Sequence, residues 1–396
     1  MDDAKMSADL PQDRVRAADE PLPFLSNFQD WFLAIGVIVF LTGLAVLAGS
    51  VLGGLSLDVR GMALAAAGAA AFISLVVAGL SVILVRRRRR VLPGIVLCLA
   101  FLAGAATVFG GVYGGVVQMD AFDGDNWSAL EDVFATAEVN AEVRTSSDAG
   151  LREVARAAVG AVPTPVLVLL LGFPLTGLLA AFFYYRVFRL PFSSAMVALS
   201  ALSVLWVAAF LALPYDTLRF SPLLTLLFGL TLLGAGIAYD ARDPGRVTRW
   251  SGNGFWLHFF AAPVVLWGAL EVVQHGAAYD VEALASGDAD AFTEAFSVTQ
   301  SVVTLAVIAG FALLSLLLNR RALVVSGLVS AGTAIGILLY KTGLGAGGVA
   351  AGTLILLGGG VLLLGIGWHG ARMALLAPLP ASGLWGRVFP RTDTDG

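Results

Sequence analysis

Ten stretches of mostly apolar residues, each long enough to cross a bilayer as a helix, succeed one another along this chain. They lie at 32–55, 61–85, 92–117, 163–185, 192–213, 221–239, 254–273, 298–318, 322–341 and 347–376. About 20 residues at a 1.5 Å rise match the hydrocarbon core, and in lipid each backbone N–H and C=O must be satisfied within its own segment. The pattern therefore predicts an all-α, polytopic transmembrane bundle of about ten spans. Only 13% of the 396 residues are charged, about half the share that keeps a soluble surface wet. The last stretch exceeds what a bilayer needs and is expected to tilt or to project beyond it.

A run of five arginines, Arg86 to Arg90, separates the second and third stretches. Five guanidinium groups do not cross a membrane cheaply, and basic residues collect on the cytoplasmic side. With the pentad inside, both termini fall inside, and 18 basic residues lie on the cytoplasmic face against six outside. The outer loop 118–161 carries nine acids and three arginines, and the outer loop 274–297 carries five acids and no Lys or Arg. The formal charge of −4 is thus the sum of a basic inner face and an acidic outer one. The basic face suits anionic lipid head groups, the contact expected of Arg86, Arg87, Arg88, Arg89 and Arg90. No basic folded domain exists to carry nucleic acid.

Residues 1–30 are polar and mixed in charge and lack the basic and apolar blocks of a signal peptide, so a flexible cytoplasmic tail is expected there. The segment 377–396 reads as a second cytoplasmic tail, and 31–376 as the membrane domain. Within the loop 118–161, Leu130, Val133, Phe134, Ala137 and Ala141 follow helical spacing behind a Ser128–Glu131 capping box. Leu151, Val154, Ala155, Ala158 and Val159 repeat the stripe. Two amphipathic helices covering the bundle are expected, with a protein partner or lid as their functional alternative.

Ionisable residues inside a membrane are the default functional candidates. Glu271 is the acid placed well within a predicted span, and His275, four residues on, shares its face near the outer interface. His258 and His369 lie towards the inner ends of spans 7 and 10, each near a tryptophan as interfacial anchors are. Glu271 and His258 are 13 residues apart, about 20 Å along a helix, too far to share an ion or a proton. Pro174 and Pro263 predict kinks. Cys98, the only cysteine, lies in an apolar run and reads as a small buried hydrophobe. Gly110/Gly114, Gly111/Gly115, Gly332/Gly336 and Gly358–Gly360 suit close helix packing.

Asp120, Asp123 and Asp125 lack the order and the twelfth-position glutamate of a calcium loop. Gly-x-Ser-x-Gly, His-Glu-x-x-His and Walker patterns are missing from the sequence. No catalytic residue, metal or cofactor is expected. A split of ten spans into five and five pairs Pro174 and Pro263 with spans lacking proline, which argues against an inverted repeat.

Several stretches resemble a family of polytopic inner-membrane proteins of proteobacteria with no established activity. They are Phe28-Gln-Asp-Trp-Phe32, Arg90-Val-Leu-Pro-Gly-Ile-Val96, Asp240-Ala-Arg-Asp-Pro-Gly-Arg-Val-Thr-Arg249 running into Phe255-Trp-Leu-His-Phe-Phe-Ala-Ala-Pro263, Asn319-Arg-Arg-Ala-Leu323 and Gly365-Ile-Gly-Trp-His-Gly-Ala-Arg372. The chain departs from that pattern at Gly252-Asn253-Gly254, where the family carries an acid after the serine. The resemblance implies the fold and the inner (plasma) membrane. For function the sequence favours a non-catalytic membrane scaffold or sensor. A permease-like transporter of a small solute, lined by Glu271 and bent at Pro174 and Pro263, is the alternative, and a membrane-embedded enzyme comes third.

Overall fold

The computed structural model describes residues 28–116, 128, 131–132, 135, 148–243, 248–279, 298–319, 322–380 and 383–389. Among these residues the chain is helical, without strands. In order come α1 (Phe28–Gly53), α2 (Val59–Ser81, prolonged by a π-helical turn Val82–Arg87), α3 (Val91–Val116) and α4 (Asp148–Ala161). Next are α5 (Thr164–Phe188), α6 (Pro191–Ala212), the short α7 (Pro214–Arg219), α8 (Ser221–Arg242) and α9 (Arg249–His275). The order closes with α10 (Val298–Leu318), α11 (Ala322–Lys341), α12 (Ala346–Leu376) and α13 (Gly383–Val388).

Nine of these are long and apolar enough to cross a membrane, among the described residues. The expected span 322–341 is the helix α11, packed against α9, α10 and α12. The protein is thus an all-α, multi-pass membrane bundle. Its outward-facing Leu75, Leu354, Leu363 and Ile366 are 70% or more exposed, a surface suited to lipid rather than water.

Consecutive helices pack as pairs, α2 with α3, α5 with α6, α8 with α9, and α10 with α11. The closest pairing is α8–α9, and glycine is the reason. A β-carbon at Gly229 would lie 2.6 Å from the Val265 backbone nitrogen, and one at Gly268 would lie 2.4 Å from that of Leu226. Gly111 in α3 plays the same part, facing the Ala63 carbonyl oxygen of α2 at 2.6 Å. Among the described residues nothing lies within 4 Å of such a carbon at Gly358, Gly359 or Gly360, so this triplet does not serve the close packing expected of it.

The central element is α9, which touches α6, α8, α10 and α11. Its apolar window is 44% buried, against 33% or less in the other spans. Trp256, Leu257 and Ala261 join a core with Val77, Leu97, Tyr184, Phe192 and Leu232. Ala262, Val265 and Leu266 join a second one with Phe311 and Leu318. Both α5 and α9 continue through the prolines at which kinks are expected, Pro174 and Pro263.

Three charged residues that the sequence expectation places at the cytoplasmic face are buried in the fold. The first helix begins at Phe28, and Asp30, assigned to the tail, is buried in it. Helix α8 runs on to Arg242 and carries Asp240 with it. Arg372, one of the 18 basic residues assigned to the cytoplasmic face, is 1% exposed and donates from Nε to the Leu316 carbonyl at 3.1 Å.

Of the two helices expected in 118–161, the second is α4. Its stripe Leu151, Val154, Ala155, Ala158 and Val159 is buried or half-buried, while Glu153, Arg156 and Gly160 are exposed. Ser128, Glu131, Asp132 and Ala135 are helical, and the remainder of the first lies outside the described residues.

Candidate functional site

At the arginine-rich end of the bundle, two helix exits come side by side. The first is built by α2, whose last turn widens to π-helical geometry, so that Arg88 N–H reaches back to Ile83 at 3.1 Å and Arg90 N–H to Leu84 at 2.9 Å. The second is the end of α5, where Arg189 N–H donates to the Tyr185 carbonyl at 2.9 Å. Each exit turns on one residue in the left-handed region, Arg89 at φ 54° and Arg189 at φ 55°. Each is followed by proline, Pro93 or Pro191, near the start of the next helix.

The two exits are held together by small and polar contacts. A β-carbon at Gly94 would meet Val85 at 3.1 Å and Leu190 at 3.2 Å, so glycine there leaves the two turns in contact. Below them the Ser81 and Tyr184 hydroxyls lie 3.0 Å apart, fully buried, joining α2 to α5. Between the exits opens a cleft of about 770 Å³. Arg86, Arg89, Arg90, Arg186 and Arg189 line it, over an apolar floor that includes Val85, Phe188 and Leu190.

The five guanidinium groups are not equivalent. Arg90 donates from Nη1 to Asp30 at 2.8 Å and from Nη2 to the Gln29 side chain at 3.1 Å, which docks α1 on the cleft wall. The head-group contact expected of Arg90 thus competes with a partner inside the protein. Arg86, Arg89, Arg186 and Arg189 are exposed, and among the described residues no carboxylate pairs with them. Arg87 and Arg88 are exposed and stand outside the cleft.

A second polar group is buried next to this end, in the α8–α9 pair. His258 Nε2 and Asp240 Oδ2 are 3.0 Å apart, with His258 wholly buried and, among the described residues, no hydrogen-bond partner on its Nδ1. Gly236 and Gly254 make the room: a β-carbon would press on the His258 ring from the first and on the Asp240 carboxylate from the second. Asn253 donates to the Tyr185 hydroxyl at 2.9 Å and so ties α9 to α5, while Asp243 accepts from Thr248 at 2.9 and 2.6 Å and closes the α8–α9 turn. His369 is exposed on α12, in surroundings unlike those of His258. Among the described residues no three His, Cys, Asp or Glu side chains gather as metal ligands would.

Glu271 and His275 lie at the opposite end of α9, 4.0 Å apart, and Tyr279 just past the helix donates its hydroxyl to Glu271. Burial, and then the Glu271 carboxylate, push the Tyr279 hydroxyl pKa above its ordinary value. Tyr279 N–H donates to the Arg219 carbonyl at 2.7 Å, linking this group to α7. There Arg219 pairs with Asp148, Tyr215 donates to Asp148 at 2.6 Å, and Arg152 forks onto Asp216 at 2.9 and 3.1 Å. These contacts fasten α4 across the end of the bundle.

No family model, curated protein or solved structure matches the chain.

Proposed function

We propose that this protein is a non-catalytic scaffold or sensor of the bacterial inner membrane that engages anionic lipid head groups at its cytoplasmic face. The observation that carries this is the arginine cleft, where four exposed guanidinium groups converge and, among the described residues, no carboxylate neutralises them. Such an assembly lowers the protein's own stability through self-repulsion unless an anion occupies it. The 18-to-6 basic asymmetry of the sequence supports the orientation. The likeness to proteobacterial inner-membrane proteins supports the compartment. Protein partners of the scaffold would dock at the outer segment 118–161.

The permease reading finds less support. Its lining residue Glu271 is engaged by Tyr279 and His275 at one end of α9.

Native mass spectrometry of the protein released from membranes tests the proposal. Anionic phospholipids are expected to stay bound, and to be lost when Arg86, Arg89, Arg186 and Arg189 are together replaced by Gln. An unchanged lipid complement in that variant overturns the assignment.

A further inference from the structure

Resting on that reading, we infer that the cleft between the α2 and α5 exits is a specific site for a phosphomonoester head group, clamped between Arg89 and Arg189. Three separate observations lead there. The first is backbone strain at matching positions. A non-glycine residue in the left-handed region is sterically strained, whereas glycine adopts it freely. Three non-glycine residues of the described chain have positive φ, and the third is Asn319, a residue type that tolerates this conformation. The other two are arginines, and both face the cleft. Strain of this kind persists where side-chain chemistry at that point is needed.

The second observation is the π-helical turn Val82–Arg87. Such turns are scarce and recur at functional sites because they re-aim the residues that follow. Here Arg86 lies within the widened turn and Arg89 just beyond it, and both line the cleft, while Arg87 and Arg88 do not.

The third is charge. Arg86, Arg89, Arg186 and Arg189 bring four positive charges that no carboxylate pairs with among the described residues. A phosphodiester head group carries a single charge, whereas a phosphomonoester carries about −1.5 to −2 at pH 7 and offers three oxygens to forked guanidinium donors. The doubly charged group fits four guanidinium groups better. The apolar floor of Val85, Phe188 and Leu190 suits the glycerol and acyl end of a lipid, although a soluble phosphomonoester shares the same head-group chemistry.

The full-length protein in detergent is titrated with phosphatidic acid, a phosphomonoester, and with phosphatidylglycerol, a phosphodiester, and read by native mass spectrometry. Phosphatidic acid is expected to bind at least about tenfold tighter. Arg89→Gly and Arg189→Gly, which keep the left-handed backbone at no steric cost, are expected to melt at or above the wild-type temperature and to abolish the preference. Arg87→Gln, outside the cleft, is expected to keep it. Equal affinity for the two lipids overturns the phosphomonoester assignment while leaving the head-group function intact, and binding of neither overturns both. A preference that survives in the glycine variants overturns the placement at Arg89 and Arg189. Glycerol phosphate added as competitor decides the source: displacement of phosphatidic acid supports a soluble phosphomonoester, and its retention supports the lipid.

Discussion

A buried polar side chain is stable only with a partner, and removing one member of a pair leaves the other unsatisfied at about 1–3 kcal/mol. Asp240 and His258, 3.0 Å apart between α8 and α9, are the clearest case in this protein. Asp240→Leu and His258→Leu are each expected to lower thermal stability in detergent by an amount in that range. The double variant is expected to lose less than the two singles combined, because neither group is then orphaned. Additivity within about 0.5 kcal/mol would mean the pair is not coupled. Asp240 itself was hard to find from sequence. It stands at the polar edge of an apolar run, where it reads as a loop residue, and only the docking of α9 encloses it. Asp30 and Arg372 were missed in the same way, since sequence shows a charge but not the partner brought to it from 60 or 56 residues away. The proximity of Glu271 and His275, by contrast, follows from helical spacing alone.

At the scale of elements, the apolar runs were legible to within a few residues because length and hydropathy are local properties. Which glycines lie at helix contacts was not, because that depends on the neighbouring helix. Gly268 and the Gly358–Gly360 triplet look alike as sequence, yet only the first touches a backbone. Gly268→Ala places a methyl group 2.4 Å from the Leu226 nitrogen, so α8 and α9 must separate, at a cost of about 1–3 kcal/mol. Gly358→Ala meets nothing within 4 Å among the described residues and is expected to be neutral or to stabilise its helix by up to about 1 kcal/mol. Thermal melts of the two variants check the contrast, and equal melting temperatures would refute this account of α8–α9 packing. The arginine cleft shows the same limit. The pentad was conspicuous, but Arg186 and Arg189 joined it only once α3 and α5 packed together.

For the molecule as a whole, the two ends of the bundle are built on opposite electrostatic plans. Among the described residues the arginine-rich end leaves four cations around a cleft without a carboxylate, whereas at the other end Asp148, Arg152, Asp216 and Arg219 pair and hold α4 in place. Asp148 is the hub of that second network. The Tyr215 hydroxyl, and then the Arg219 guanidinium, hold its carboxyl below the usual carboxylate pKa, while Tyr215 is pushed up by burial and by Asp148. A carboxylate whose pKa is depressed by folding contributes stability that is fully present above its unfolded value, about 3.9. That contribution is lost as the pH falls through the lower folded value. The attachment of α4 is therefore expected to be independent of pH from neutrality down to about pH 4 and to weaken below it. Hydrogen exchange across Asp148–Ala161, corrected for intrinsic rates, should show that loss while α8 and α9 stay protected. Asp148→Asn should loosen α4 already at neutral pH, because the amide no longer offers two anionic oxygens to Tyr215 and Arg219. Protection of α4 that persists below about pH 3, or that survives in Asp148→Asn, would show that its apolar stripe, and not this carboxylate, holds it to the bundle.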